Sequence, residues 1–233
     1  VIRSVSGQVP QTVVPTFLGA HEVPEGYRDD PMEYIDFIIS EVLPVVRESG
    51  LAAFVDVFCE KGVFTPAQSR KLLEAASAMG FGLKMHADEF HDTGGAELAA
   101  ELGAVSADHL LSVSDGGVKA LAESDTVATL LPGTALFLNK PFADARKLID
   151  AGAAVALATD FNPGSCYCES MPFMINLGVC RCGMTVEEAL VAATVNGAAA
   201  VGMIDRKGSL QPGRDADMIL WNVDDYRSIA YHL

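Results

Sequence analysis

A histidine and an aspartate carry the strongest chemical signal in the sequence. His86 ends a short segment that begins at Gly82, and Asp160 ends another that begins at Ala153. Both segments have the length and apolar composition of strands and run into polar loops. A neutral imidazole and a carboxylate at the carboxyl ends of parallel strands are natural ligands for Zn²⁺ or Fe²⁺. Because barrel enzymes keep their chemistry at that end of the strands, the pair predicts a catalytic metal site.

Other polar residues occupy similar positions. His21 and His109 each follow a strand-like run, and Glu89 lies three residues after His86. Each has a simpler interpretation: a strand-end histidine is often only packed and hydrogen-bonded, and Glu89 could be an acid favoured near a helix N-terminus. Asp160 could begin an Asx turn. Three histidines and an aspartate at the ends of four strands nevertheless favour one shared site over four separate structural roles.

The elements that must position these residues alternate regularly along the chain. Capping boxes at Thr65 and Thr185, a proline after Asp30, and glycines such as Gly50 mark where helices begin and end. Pro44 predicts a kink in the first long helix. The predicted strands span residues 12–20, 51–58, 82–86, 104–109, 126–131 and 153–159; the predicted helices span 31–50, 66–80, 96–102, 117–123, 143–151 and 185–200. This α/β series predicts a parallel sheet with helices outside it.

The pattern changes after Gly202. Residues 208–221 contain a glycine- and proline-rich turn that leads into one short apolar run. This pattern predicts a strand in a small β appendage and not another strand–helix unit. We therefore expect a barrel domain over residues 1–203 and a separate β region over 204–233.

Length, composition and charge exclude several classes of function. The chain has 233 residues, of which 50% are hydrophobic, enough for most of an α/β barrel. No apolar run approaches the roughly 18 residues that span a bilayer, and no signal peptide opens the chain, so we expect a cytoplasmic protein without a membrane partner. A net charge of −15 argues against nucleic-acid binding. Since the first residue is Val1 and not methionine, and the chain stops directly after a strand-like run, we expect a fragment of a longer protein.

Five segments together resemble the imidazolonepropionase family of histidine degradation, within the metal-dependent amidohydrolase superfamily. They are residues 16–21, 86–90, 106–110, 158–165 and 193–198. Residues 208–220 resemble the closing strand signature of that superfamily. The resemblance covers essentially the whole chain. It implies a distorted (β/α)8 TIM-like barrel with a small β-sandwich, a homodimer, and hydrolysis of the cyclic amide of 4-imidazolone-5-propanoate to N-formimino-L-glutamate.

The same resemblance assigns roles to individual residues. It implies that His86 and Asp160 bind one divalent metal ion, Zn²⁺ or Fe²⁺, and that His109 helps to activate the hydrolytic water. Asp160 can take a proton from that water, and Glu89 can help to protonate the leaving nitrogen. It places His21 and Glu89 in contact with the small-molecule substrate. The remaining substrate-lining residues that it implies are Asn162, Gly164 and Ser165.

One departure from the family is large. The His-x-His pair of the family's first strand, which supplies further metal ligands, is absent, as are the upstream arginine and tyrosine that hold the propionate. A fragment explains this most simply, with Val1 falling inside the barrel. The alternatives are another cyclic amidohydrolase or deaminase of the superfamily, or a truncated chain that is inactive by itself. The Asn162–Ser165 loop favours imidazolonepropionase over the deaminases.

Overall fold

Six parallel strands form one sheet in a computed structural model that describes residues 1–231. The strands lie side by side in chain order, which confirms the predicted α/β fold with a parallel sheet. Strand bounds differ from the prediction by a few residues. They are β1 (Thr16–Ala20), β2 (Phe54–Cys59), β3 (Gly82–Ala87), β4 (Ser106–His109), β5 (Val127–Leu130) and β6 (Val155–Leu157).

Helices connect the strands and pack on the sheet. They are α1 (Ile2–Ser6), α2 (Pro31–Phe37), α3 (Leu43–Ser49), α4 (Pro66–Ala78), α5 (Gly95–Glu101), α6 (Asp115–Ala122), α7 (Pro132–Phe137), α8 (Ala145–Ala151), α9 (Met171–Cys182), α10 (Val186–Ala193) and α11 (Val195–Ala200). Helix α4 contacts β2 and β3, α5 contacts β3 and β4, and α10 contacts β6. None of the helices within residues 1–231 is both long and apolar enough to cross a membrane.

Side chains at helix N-termini explain where helices begin. The Thr65 hydroxyl accepts from the Gln68 N–H, while the Gln68 side chain accepts from the Thr65 N–H. Thr185 and Glu188 form the same reciprocal arrangement at α10. Each box satisfies backbone donors that have no partner inside the helix, so both predicted helix starts are confirmed.

The first predicted helix is interrupted. A π-helical turn, Ile38–Val42, separates α2 from α3 and ends two residues before Pro44. Proline has no N–H to donate and its ring clashes with the carbonyl four residues earlier, so regular α-helical bonding fails there. The predicted kink takes the form of this wider turn, and Gly50 ends α3 in the left-handed conformation.

The last predicted helix, residues 185–200, is two helices. The chain breaks at Thr194, which has φ −123° and ψ −84°. The Asn196 side chain donates to the Val155 carbonyl of β6 at 2.8 Å, which fixes α11 against the sheet. Thr194 and Val195 are consecutive β-branched residues with weak helix propensity. Together with the Asn196 contact, they explain why α10 ends here and a new helix begins.

The two faces of the sheet differ in chemistry. In β3, Leu83, Met85 and Ala87 are buried, whereas the alternate residues Lys84 and His86 are only partly buried. Because side chains alternate across a strand, one face packs against the helices and the other carries polar groups. The polar face is the one that leads into the cavity described below.

The predicted strand near the C-terminus is absent from residues 204–231. This segment consists of turns and one 3₁₀ turn, Tyr226–Ala230. Ile219 is 76% exposed and Leu220 is fully exposed. A strand requires a neighbouring strand for its backbone groups, and none lies beside this segment in the described chain. The boundary at residue 204 remains a prediction, and residues 232 and 233 lie outside the described residues.

Candidate active site

One cavity of about 600 Å³ opens at the carboxyl ends of the strands. Its lining contains every residue predicted for the site: His21, His86, Glu89, His109, Asp160, Asn162, Gly164 and Ser165. Four apolar residues that were not predicted complete the lining: Leu18, Phe58, Phe90 and Leu138. Residues from β1, β2, β3, β4 and β6 meet here because parallel strands end at a common edge.

The backbone is strained where these strands end. Asp88, His109, Leu110 and Asp160 adopt positive φ angles of 50°, 80°, 61° and 51°. Residues other than glycine rarely adopt positive φ angles, and such backbone conformations concentrate at functional sites. Here they turn the chain sharply out of β3, β4 and β6, so that the side chains at the turns face a common space.

His86 is anchored on one side and free on the other. Its Nδ1 lies 3.1 Å from Oδ1 of Asp56, a buried residue of β2. Within residues 1–231, Nε2 has no hydrogen-bond partner. Burial lowers the pKa of His86, but the carboxylates of Asp56, Asp108 and Asp160 outweigh burial and raise it to about 9. The local field therefore stabilises a positive charge at this imidazole, either a proton or a cation that displaces that proton from Nε2.

Asp160 is held in the same way. Its Oδ2 accepts a 2.5 Å hydrogen bond from the Thr134 hydroxyl of α7, and its carbonyl accepts from the Asn162 side chain. No group in the described chain bonds to Oδ1. His86 and Asp160 thus each offer the cavity one atom without a partner in the described chain, an imidazole nitrogen and a carboxylate oxygen, which are borderline and hard donors suited to Zn²⁺ or Fe²⁺. The donor set fits a divalent cation.

Glu89 and His109 form a second pair of titratable groups. Both side chains are buried, and Nε2 of His109 lies 3.6 Å from Oε2 of Glu89. Burial raises the pKa of Glu89 to about 7. Burial, with the nearby charges of His86 and His21, holds the pKa of His109 well below its ordinary value. Near neutral pH a neutral imidazole therefore faces a carboxyl group that readily gains or loses a proton.

Asp88, and not Glu89, performs the helix-capping role. Its carboxylate accepts from the backbone N–H groups of Thr93, Gly95 and Ala96, which orders the start of α5. The Glu89 carboxylate accepts no hydrogen bond in the described chain. The alternative interpretation of Glu89 as an ordinary acid at a helix N-terminus is wrong.

Asn162 organises its own loop. Its side-chain oxygen accepts from the N–H groups of Gly164 and Ser165, both at 2.8 Å, and its amide nitrogen donates to the Asp160 carbonyl and the Ser165 hydroxyl. The Asx turn expected as a structural alternative at Asp160 is thus made by Asn162. Its predicted contact with substrate stays a prediction, since its polar atoms are already engaged within the loop.

Glu60 fixes the loop that carries Glu89. It is 3% exposed, and its carboxylate accepts from the N–H groups of Lys61 and Phe90 at 2.8 Å and lies 2.8 Å from Nδ1 of His91. It therefore ties the end of β2 to the segment that follows β3. This residue was not singled out from the sequence.

We expect Glu60→Ala to lower the free energy of unfolding by about 1–3 kcal/mol, because donors that it now satisfies lose a charged acceptor. Urea unfolding followed by circular dichroism measures the change. Glu101→Ala, which removes an exposed ion pair with Arg70, is the control and should have no measurable effect. Equal stability of the two variants would show that the Glu60 bonds do not hold the loop.

Three residues that make hydrogen bonds to the site residues or to their loops were not predicted from the sequence: Asp56, Glu60 and Thr134. A signal for Asp56 was present, since it interrupts the apolar run Phe-Val-Asp-Val-Phe-Cys of β2. A charged residue inside such a strand requires a buried partner. Thr134 carries no comparable signal, because its role depends on where α7 begins relative to β6.

A family model described as the amidohydrolase family matches residues 60–232. The chain belongs to the amidohydrolase family. This confirms the resemblance seen in the sequence at the level of the superfamily, and it covers β3 through β6 with the residues that follow them.

The curated relatives show which enzymes of the family the chain is similar to. The chain is 54% identical to the imidazolonepropionase of Bacteroides thetaiotaomicron over 95% of the chain and 53% of that protein. It is 53% identical to that of Geobacillus kaustophilus over 96% of the chain and 53% of the relative. The imidazolonepropionase of Symbiobacterium thermophilum is 52% identical over 100% of the chain and 55% of its own length. The chain thus spans about half the length of the curated relatives it matches.

Two solved structures of low sequence identity share the fold. An adenosine deaminase from Xanthomonas campestris with bound zinc superposes with a TM-score of 0.68 at 20% identity, over 92% of the chain and 53% of the deaminase. A triazine hydrolase variant superposes with a TM-score of 0.71 at 14% identity, over 98% of the chain and 59% of the hydrolase. At these identities the similarity shows the fold alone, and the six-stranded sheet corresponds to part of a TIM-like barrel.

Proposed function

We propose that the protein hydrolyses the cyclic amide of 4-imidazolone-5-propanoate to N-formimino-L-glutamate in histidine degradation. The observation that carries the proposal is the convergence of His86, Asp160, Glu89 and His109 in one cavity of a chain that is 54% identical to an imidazolonepropionase. The cavity volume of about 600 Å³ suits a small molecule. The loop after Asp160, with its Asn-Pro-Gly-Ser sequence, favours this reaction over the superfamily's deaminations.

His86 through Nε2 and Asp160 through Oδ1 would hold one divalent ion, Zn²⁺ or Fe²⁺. Such an ion supplies Lewis-acid polarisation of the scissile carbonyl and makes water a better nucleophile at neutral pH. Both ligands are oriented before any ion binds, His86 by Asp56 and Asp160 by Thr134. Ordered ligands lose little conformational freedom on binding.

The chain's own groups account for the proton transfers. Asp160 has an oxygen without a hydrogen-bond partner and can take a proton from the attacking water. His109 is neutral because burial depresses its pKa, so it can accept a hydrogen bond from that water and share the proton. Glu89, whose pKa burial raises to about 7, can deliver a proton to the departing ring nitrogen.

His21 would contact the imidazolone ring. Its ring stacks on Phe58 with centroids 5.4 Å apart and meets the His86 ring edge-on at 5.8 Å. A flat, polar heterocycle is the ligand that such a mixture of aromatic faces and imidazole nitrogens accepts.

The experiment that tests the proposal uses the protein encoded by the complete gene. Separate assays supply 4-imidazolone-5-propanoate and a cyclic amidine, and each follows both N-formimino-L-glutamate and ammonia. We expect formiminoglutamate without ammonia, because hydrolysis opens the ring and keeps both nitrogens in the product. Ammonia release from a cyclic amidine would favour the alternative, a deaminase. A complete protein without activity on either substrate class would overturn the proposal.

We further propose that the protein acts in the cytoplasm as a homodimer. The resemblance to imidazolonepropionases supports both the dimer and the compartment. Light scattering of the complete protein measures its oligomeric state.

A further inference from the structure

We propose that Asp56 is a positioning residue that aligns His86 for the metal ion. This inference rests on the proposed function, because it concerns one of the two ligands assigned above. The carboxylate would accept the Nδ1–H bond, which fixes the imidazole tautomer and the ring plane and leaves the Nε2 lone pair facing the cavity.

The location of Asp56 first requires an explanation. It lies in the middle of β2 and is only 4% exposed, between Val55 and Val57, which are fully buried. Carboxylates in strand interiors are rare and are costly unless a buried partner compensates them. Its hydrogen-bond partner is the imidazole of His86, with Oδ1 3.1 Å from Nδ1.

The sheet register brings the two residues together. His86 pairs with Phe58 of β2 and with Asp108 of β4. Asp56 shares a face of β2 with Phe58 because strand side chains alternate, and its side chain approaches His86 from beneath the cavity. The contact therefore comes from the rigid sheet and not from a loop, so it can hold the ring in one orientation.

Within residues 1–231, no group other than Asp56 makes a hydrogen bond to the His86 ring. The rings of His21, Phe58 and His109 surround it at centroid distances of 5.8, 5.8 and 5.2 Å. These contacts limit the space of the ring but do not distinguish Nδ1 from Nε2. Only a directional bond to one nitrogen selects the tautomer that binds through the other.

Asp108 provides a matched control. It stands beside His86 on the opposite neighbouring strand and its Oδ1 atom is buried, yet it makes no hydrogen bond to the imidazole in the described chain. Asp108→Asn removes a carboxylate from the same layer and leaves the Asp56–His86 bond intact. Comparison of the two positions separates hydrogen bonding from a general loss of negative charge.

The test measures Zn²⁺ affinity by competition with a chelator in the complete protein, for wild type, Asp56→Ala, Asp56→Asn and Asp108→Asn. We expect Asp56→Ala to weaken Zn²⁺ binding about 10–100-fold, as loss of such outer partners does elsewhere. Asp56→Asn keeps an acceptor oxygen and should lose less. Asp108→Asn should stay within about threefold of wild type, since it leaves the His86 anchor in place.

A second readout is independent of metal and substrate. In the metal-free protein, proton NMR of the Nδ1–H of His86 should show a downfield, slowly exchanging signal that Asp56→Ala abolishes and Asp56→Asn retains. Wild-type Zn²⁺ affinity together with a retained signal in Asp56→Ala would overturn the inference. A wild-type protein that binds no Zn²⁺ would instead overturn the metal assignment of the proposed function, while the NMR signal still tests the Asp56 contact. Urea midpoints identify any variant whose fold is lost. If Asp56→Ala is lost, Asp56→Asn should still weaken Zn²⁺ binding more than Asp108→Asn does, and equal affinities of those two variants would overturn the inference.

Discussion

Asp160→Asn in the complete protein is expected to reduce turnover by at least roughly 10³-fold while the fold stays intact. The substitution removes a negatively charged oxygen from the proposed metal site and a proton acceptor from the proposed reaction at the same time. Asparagine has nearly the same volume and can still accept the Thr134 hydrogen bond that now reaches Oδ2 at 2.5 Å. The loss would therefore come from charge and basicity, not from a collapsed loop.

Three measurements check this result: turnover, metal content by elemental analysis, and the urea midpoint. Asp150→Asn is the control, because Asp150 is exposed on α8, where it pairs with Arg146 and lies outside the cavity. It should match wild type in all three. Near wild-type turnover of Asp160→Asn at full metal content would remove Asp160 from both of its assigned roles.

The order of strands was predictable from the sequence because each strand–helix unit carries local signals. Capping boxes at Thr65 and Thr185 and a left-handed glycine such as Gly50 act within a few residues, so local sequence is sufficient to place them. The break at Thr194 was not predictable, since it depends on Asn196 bonding to β6, a residue 41 positions away. The strand expected near Ile219 failed for a related reason: a strand signal is local, but a strand needs a partner.

The site was predictable where chemistry and position coincide. Histidines and acids that directly follow apolar strands stand out against their neighbours, and a parallel sheet collects them at one edge. The residues that contact them through hydrogen bonds were missed because these contacts depend on distance across the sheet. Asp56 reaches the next strand, and Thr134 approaches Asp160 from a helix 26 residues earlier. Residues that can react are therefore easier to recognise in a sequence than the residues that hydrogen-bond to them.

Glu89→Gln should leave the metal bound but reduce turnover by about 10²-fold or more, the usual contribution of a positioned acid or base. Glutamine preserves shape and burial but can neither release nor take up the carboxyl proton that a pKa of about 7 makes available near neutral pH. Glu123→Gln, on an exposed residue that pairs with Lys119, is the matched control.

Metal analysis decides how the result of Glu89→Gln is interpreted. Oε2 of Glu89 lies 3.6 Å from Nε2 of His109, and the Glu89 carboxylate accepts no hydrogen bond in the described chain. The carboxylate lines the cavity and is therefore available to a bound molecule. If it acts on substrate, the variant keeps one metal ion per site and loses turnover. If the ion is lost together with activity, Glu89 is itself a ligand and the proton delivered to the leaving nitrogen must come from His109. That outcome would replace the division of roles proposed here, in which His86 and Asp160 hold the ion while Glu89 and His109 move protons.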